Sequence, residues 1–385
     1  MKSRLMMTAA AAALAVAGSA HAEQGVTDTE VLLGSNNDLS GPFAAFGAPA
    51  VKAAQLYFDD INAAGGVHGR KIRYIVEDHA YQMPKAIAGM NKLINSDKVF
   101  AMFQSLGTPM NIAAFKLQDA KKIANVSPLS GARQMLQDPI AYKYAGTSSY
   151  YEHIHAGVKL LSGQKGHKVV CAMYLPTDFG KEIQQGAVDA AKKNGLEFKA
   201  ETTHKPDETD FVGSLSKLKA EGCQLITMAL TVRQTITAYA TARKIGWTDA
   251  DFISSSAGFH TVMAKVPGGV TEGLYAAAGW ADILARASDP KVAAWMKKYT
   301  EASGEQLPGT GALLGRSAAE AIVKALEAAG KDLNADSFRK GMESLNYYDV
   351  FLDNQISYGP DDHQGADPVV ISVIKDGNWT EIGRE

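Results

Sequence analysis

Ile61-Asn62-Ala63-Ala64-Gly65-Gly66-Val67-His68-Gly69-Arg70 closes one periodic segment and opens another. Upstream, Val51, Ala54, Phe58 and Ile61 share one face of a helix over residues 47–63, and Gly65 stops it. Downstream, residues 72–77 alternate as a strand should. The joint recurs along the chain. A strand at 31–35 precedes the helix. A helix at 84–95, with Ile87, Met90 and Ile94 inward, leads to a strand at 98–103, a helix at 108–121 and a strand at 122–126. A second series follows: strand 168–174, helix 180–194 closed by Gly195, strand 197–203, a helix with Phe211, Leu215 and Leu218 on one side, strand 225–230, helix 232–244 closed by Gly246, and strand 252–255. A long helix at 312–329 and a strand at 368–375 complete the pattern. Two consecutive βαβ series predict an α/β fold of two doubly wound parallel-sheet lobes. The repetition is architectural, without residue-level similarity, and no low-complexity linker separates the halves.

The first residues read as a targeting segment. Lys2 and Arg4 precede an apolar run from Leu5 to Ala17, and Ala20-His21-Ala22 has the pattern of a cleavage site. The run is shorter than the roughly 20 residues of a membrane span, and no cysteine follows it to carry a lipid. Residues 1–22 are therefore expected to be a signal peptide, releasing a free periplasmic protein. That leaves 363 of the 385 residues, enough for two domains, with 46% hydrophobic residues to fill their cores. Loss of Lys2 and Arg4 takes the net charge from −2 to −4, so no basic surplus drives nucleic-acid binding. An oxidising compartment invites a disulfide between Cys171 and Cys223. Cys171 lies within one strand, however, and Cys223 precedes another; several positions out of register, they are expected to remain free thiols.

Ligands of open parallel sheets lie beyond the carboxyl ends of the strands, near the point where strand order switches. If the first strand of each lobe is central, the loops after strands one, three and four face the cleft. These loops hold Phe46, Ser105 to Thr108 and Ser127 to Gly131 in the first lobe, and Phe179, Thr231 and Ser256 in the second. Ser105-Leu106-Gly107-Thr108 ends a strand and opens a helix, where free N–H groups and hydroxyls make a carboxylate cradle. Ser127-Pro128-Leu129-Ser130-Gly131 is a second such turn. Phe46 and Phe179 can wall an apolar ligand from opposite lobes. Each Ser or Thr alone serves equally well as a helix cap, and each Phe as core packing. Their joint placement favours a binding site.

Signals of catalysis are missing: there is no G-x-S-x-G, H-E-x-x-H, Walker loop or C-x-x-C. Gly309-Thr310-Gly311-Ala312-Leu313-Leu314-Gly315 superficially resembles a dinucleotide loop, but its third glycine is one position late and no strand precedes it. Glu152, His153 and His155 are expected on a solvated surface rather than around a metal. Asp361, Asp362 and Asp367 read as an acidic turn. No cofactor or metal is expected.

Four stretches carry a resemblance to a known family: Leu39-Ser40-Gly41-Pro42 with Phe46-Gly47, the segment from Ile61 to Arg70, Ser127-Pro128, and Asp178-Phe179-Gly180. On these the chain resembles the periplasmic leucine/isoleucine/valine-binding protein family, the type I receptors of ABC importers, over essentially its whole mature length. The resemblance implies a flytrap with three hinge crossings near Ala145, Ala278 and Ile356. Lobe one then comprises residues 23–145 and 281–355, and lobe two residues 146–280 and 356–385. It implies an aromatic wall at Phe46, a hydroxyl donor to a ligand carboxylate at Ser105, backbone donors around Ser130 and Gly131, and aromatic positions, usually Tyr, at Phe179 and at or beside Thr231. Amino-acid binders of the family place an acid, paired with the ligand ammonium, where this chain has Ser256. Its absence leaves an ammonium unpaired at a cost of several kcal/mol. The resemblance thus implies a monomeric, non-enzymatic transport receptor for a small aromatic or aliphatic carboxylate, docking on an inner-membrane ABC permease. A ligand sensor feeding a receptor or regulator is the alternative on the same fold, and an α/β enzyme the one from another class.

Overall fold

A computed structural model describes residues 23–385; the expected signal peptide, residues 1–22, lies outside the described residues. The first half builds strand β1 (Glu30–Asn37), helix α1 (Ala44–Ala63), β2 (Lys71–Asp78), α2 (Met83–Asn91) with a π-helical turn at Lys92–Ser96, β3 (Ala101–Phe103), α3 (Thr108–Lys121), β4 (Ala124–Val126) and β5 (Lys143–Tyr144). The sheet runs β2-β1-β3-β4-β5, all parallel, so strand order switches between β1 and β3. The Ile61–Arg70 joint works as its glycines require. Gly66 has φ +75°, and a Cβ there would stand 2.0 Å from the Arg70 carbonyl oxygen. The Asn62 side chain donates to the Ile72 carbonyl at 2.9 Å and accepts from its N–H at 2.7 Å, tying the end of α1 to β2.

The second half begins with α4 (Tyr150–Lys165) and continues β6 (Val169–Tyr174), α5 (Asp178–Lys193), β7 (Glu197–Thr203), α6 (Val212–Ala220), β8 (Leu225–Ala229), α7 (Val232–Lys244), β9 (Asp251–Ser254), α8 (Thr261–Ala264) and β10 (Tyr275–Ala278). Next come α9 (Pro290–Ser303), α10 (Thr310–Ala329), α11 (Ala335–Glu343), a two-stranded ribbon of β11 (Asn346–Asp349) and β12 (Asn354–Ser357), and finally β13 (Val370–Lys375) and β14 (Asn378–Arg384). The second sheet has the order β14-β13-β10-β9-β8-β6-β7, parallel from β10 to β7 and antiparallel at β13 and β14. Passages of the chain between the sheets run side by side: Ala145 bridges to Gln364, and the Asn354 side chain donates to the Gly279 carbonyl.

Two expectations fail here. Cys171 and Cys223 form a disulfide, their Cα atoms 5.8 Å apart. Cys171 pairs in register with Ile226, so an extended chain through Cys223 would indeed hold them apart. Instead α6 ends in a turn with Gly222 at φ +74°, and the Cys223 N–H still donates to the Leu218 carbonyl. Cys223 belongs to the helix end and curls back beneath the strand. His153 is not on a solvated surface: it is fully buried on α4, 3.0 Å from the Ser148 hydroxyl, and burial pushes its pKa down to about 3. Glu152 closes a capping box with Ser149, while His155 is half-buried.

The glycines of the 309–315 segment serve packing. A Cβ on Gly311 would stand 2.3 Å from the Phe46 carbonyl oxygen, and one on Gly315 2.1 Å from that of Ala50. Helix α10 therefore lies against α1 with backbone nearly touching backbone.

Candidate functional site

The loops beyond β1, β3, β4 and β6 meet around a cavity. Its first wall grows from the turn into α1. Asp38 accepts from the Gly41 N–H at 2.6 Å and the Phe43 N–H at 2.9 Å, winding the chain so that Phe43 and Phe46 reach the cavity. A Cβ on Gly47 would strike the Asp38 carbonyl oxygen at 2.1 Å, so the turn needs glycine there.

The second wall is polar. Gly107, at φ +100°, reverses the chain into α3, and the Thr108 and Ser130 hydroxyls lie 2.8 Å apart. Among the described residues the backbone N–H of Ser130 has no acceptor, that of Gly131 faces the Tyr150 phenol oxygen, and the first turn of α3 adds its own unpaired donors. Gly131 admits no side chain without disturbing Tyr150, whose ring carbon lies 2.9 Å from where a Cβ would sit. Tyr150 is buried, and burial raises its pKa to about 12, so it stays a neutral phenol. The second sheet contributes Phe179, whose ring meets Tyr150 at 5.3 Å and Phe43 at 5.8 Å, together with Ser256, Ala257 and Trp280.

Of the residues expected at the site, Phe46, Thr108, Ser130, Gly131, Phe179 and Ser256 line this cavity; Ser105 and Thr231 do not. Ser105, which follows Gln104 in a left-handed conformation (φ +51°), is turned back into the sheet, where its hydroxyl accepts from the Asn36 N–H at 3.3 Å. Thr231 caps α7 in a closed capping box with Gln234. In the serine run, Ser254 bonds the Met228 carbonyl and Ser255 caps the following turn, leaving Ser256 to face the cavity.

The lining also includes residues that sequence reasoning misses. Phe43, Tyr81, Tyr150 and Trp280 complete the aromatic wall. Gln104, Leu314, Ser317 and Ala318 extend the cavity along α10, and Tyr347, Asp349, Leu352 and Ile356 along the β11–β12 ribbon. Among the described residues Asp349 is the one carboxylate in the lining, and no Lys or Arg joins it. Among the described residues no group of His, Cys, Asp and Glu could hold a metal ion, and no helix is long and apolar enough to cross a membrane.

Contacts bridge the two sheets around the cavity. Arg133 pairs with the buried Glu182 at 2.7 Å, and the Thr261 N–H donates to Thr310 at 3.1 Å. Pro49 lies inside α1 and cannot donate to the Ala45 carbonyl. That carbonyl instead accepts from His260 Nε2 at 3.2 Å. His260 Nδ1 accepts from the Val262 N–H, so Nε2 carries the proton, and burial lowers the pKa to about 4.

A family model described as periplasmic binding protein matches residues 30–378. An amino acid binding protein of Pseudomonas aeruginosa is 24% identical over 51% of this chain and 53% of its own length. The leucine-, isoleucine-, valine-, threonine- and alanine-binding protein of that organism is 23% identical over 83% of each chain. Among solved structures, a fatty acid ABC transporter substrate-binding protein from Thermomonospora curvata superposes with a TM-score of 0.82 at 24% identity, covering 94% of this chain and 93% of its own. An R. palustris solute binding protein in complex with benzoate gives 0.81 at 15% identity, over 92% and 96%. Two parallel-sheet lobes, a cavity at their switch points and a family match across nearly the whole chain agree: this chain belongs to the periplasmic binding protein family, with the type I fold of its leucine/isoleucine/valine-binding members.

Proposed function

We propose that this protein is the periplasmic receptor of an ABC importer, capturing a small aromatic or aliphatic carboxylate in preference to an amino acid. Residues 23–145 with 281–355 act as one lobe and 146–280 with 356–385 as the other. They close on the ligand, and the closed form docks on an inner-membrane permease. The reading rests on one observation above all: the N–H groups of Ser130 and Gly131 and the paired hydroxyls of Thr108 and Ser130 line the cavity beside an aromatic wall, together with neutral Ser256. Such donors suit a carboxylate oxygen, and the rings suit an apolar body. Asp349, the lining carboxylate, has Ser317, Glu320 and Arg316 as neighbours, and burial raises its pKa, which weakens it as a counter-charge for an ammonium. The structural neighbours that serve fatty acid transport and hold benzoate support an amine-free acid; the amino acid binding relatives support the transport role.

On this reading the ligand is released unchanged. A thermal-shift screen of aliphatic amino acids against aromatic and fatty acids tests the reading, since ligands of the folded state raise its stability by mass action. Stabilisation by the acids and not by leucine is expected. Leucine binding at micromolar affinity or better would overturn the preference.

A further inference from the structure

The cavity continues well beyond the donors that would hold a carboxylate, into an arm between α10 and the β11–β12 ribbon. Leu314, Ala318 and Ala321 line it from the helix, and Leu352 and Ile356 from the ribbon side. Tyr347 and Asp349 alternate along β11 and so share a face, and Ile356 stands opposite Tyr347 in the ribbon. This arm is apolar along its sides but contains polar atoms short of partners. Tyr347 OH is buried without a partner, Ser317 Oγ and Asp349 Oδ2 are buried beside each other with no further partner, and Gln104 Oε1 and Trp280 Nε1 are unpartnered elsewhere in the lining. Asp349 is 3% exposed and Ser317 4%. The other Asp349 oxygen is engaged, accepting from the Phe351 N–H at 2.8 Å, so the carboxyl group is held with Oδ2 left over. Leaving a buried polar group unmet costs about 1–3 kcal/mol, and natural proteins seldom collect several in one place. A ligand atom in the arm satisfies them together.

The geometry points to an elongated ligand whose far end carries a neutral hydroxyl, seated against Asp349, Ser317 and Tyr347 while its carboxylate lies at Ser130 and Thr108. This deepens the carboxylate reading and rests on it. A hydroxyl suits the arm because it donates to Asp349 Oδ2 and still accepts from a second hydroxyl. An ammonium suits it less: Arg316 is a charged neighbour of both Asp349 and Tyr347, and burial raises the Asp349 pKa, weakening it as a counter-charge. An unsubstituted alkyl or phenyl end would leave the polar atoms stranded.

The test is calorimetry on the mature chain with matched acids: straight-chain fatty acids of graded length beside their ω-hydroxy counterparts, and benzoic and cinnamic acids beside their para-hydroxy forms. At least one hydroxylated acid should bind about tenfold more tightly than its parent, the effect of one well-made hydrogen bond. Ser317→Ala and Ala321→Leu should each shrink that preference severalfold, the first by removing a partner and the second by filling the arm. If the parent acids bind as well as the hydroxylated ones at every length, the arm has no such role, although the carboxylate reading stands. If no acid of either set binds, the carboxylate reading fails and this one falls with it.

Discussion

Alanine at Gly311 should weaken the fold, whereas the same substitution at Gly163 should strengthen it slightly. At Gly311 the new Cβ would lie 2.3 Å from the Phe46 carbonyl oxygen, where real contacts stay beyond 3.0 Å. The obstacle is backbone, so it cannot swing aside. Helix α10 must retreat from α1 by on the order of 1 Å, opening a packed seam at about 1–3 kcal/mol or somewhat more. Gly163 lies exposed in the last turn of α4 with nothing within 4 Å of a Cβ, so alanine there gains only helix propensity, about 0.5 kcal/mol near a helix end. Urea unfolding, followed by the midpoint at constant m-value, reads both. Because α10 also carries Leu314, Ser317 and Ala318 to the cavity, Gly311→Ala should lower ligand affinity as well. A neutral Gly311→Ala, or one no worse than Gly163→Ala, would refute the reading that these glycines exist for helix contact.

Removing the disulfide with paired Cys171→Ser and Cys223→Ser changes should cost about 4 kcal/mol by loop entropy for its separation of 52 residues, measured by denaturant unfolding against the oxidised parent. His153 and His260, held neutral with pKa values of about 3 and 4, contribute stability that is complete above their unfolded value near 6.5. That stability should fall as the pH drops towards 4, by about 1.4 kcal/mol per unit for each imidazole, and His260→Gln should flatten the slope. Ser256→Glu should weaken carboxylate binding in titrations by bringing a negative charge into a poorly screened cavity beside that of the ligand. Ligand should alter the intrinsic fluorescence through Trp280, which is buried in the lining with its Nε1 unpartnered, and Trp280→Phe should remove most of the signal.

The lobes are legible because their signals are local. Helices α3 and α7 and strand β7 run as the sequence predicts, each bounded by glycine or a capping residue. Helix α4 goes unread although Ser149 and Glu152 announce it, since its His, Gly and Lys residues blur the apolar face. The β11–β12 ribbon goes unread because Asn346-Tyr347-Tyr348-Asp349 alternates neither in polarity nor in size. At the site, the loops chosen from strand order after β1, β3, β4, β6 and β9 reach the cavity, while the one after β8, with Thr231, does not. Whether Ser105 or Thr108 faces inward depends on the backbone torsions of Gln104 and Gly107, which residue type does not determine. Asp349 and Ser317 reach the cavity only through contacts distant in sequence, and no local pattern marks them.

The vacant carbonyl of Ala45 has a consequence for how one receptor can serve several cargoes. A proline inside α1 leaves one acceptor of the helix unclaimed, and the imidazole that takes it belongs to the other lobe. Such a bond is directional, so it fixes the rotation of one lobe on the other rather than merely pressing them together. It involves no cargo atom. If the protein closes on an acid and docks on a permease as proposed, the outline of the shut form is set by its own backbone, and chemically different acids would present the same face to the membrane. The sequence of the cavity could then drift towards new cargoes while the transporter that reads the outer surface stays as it is.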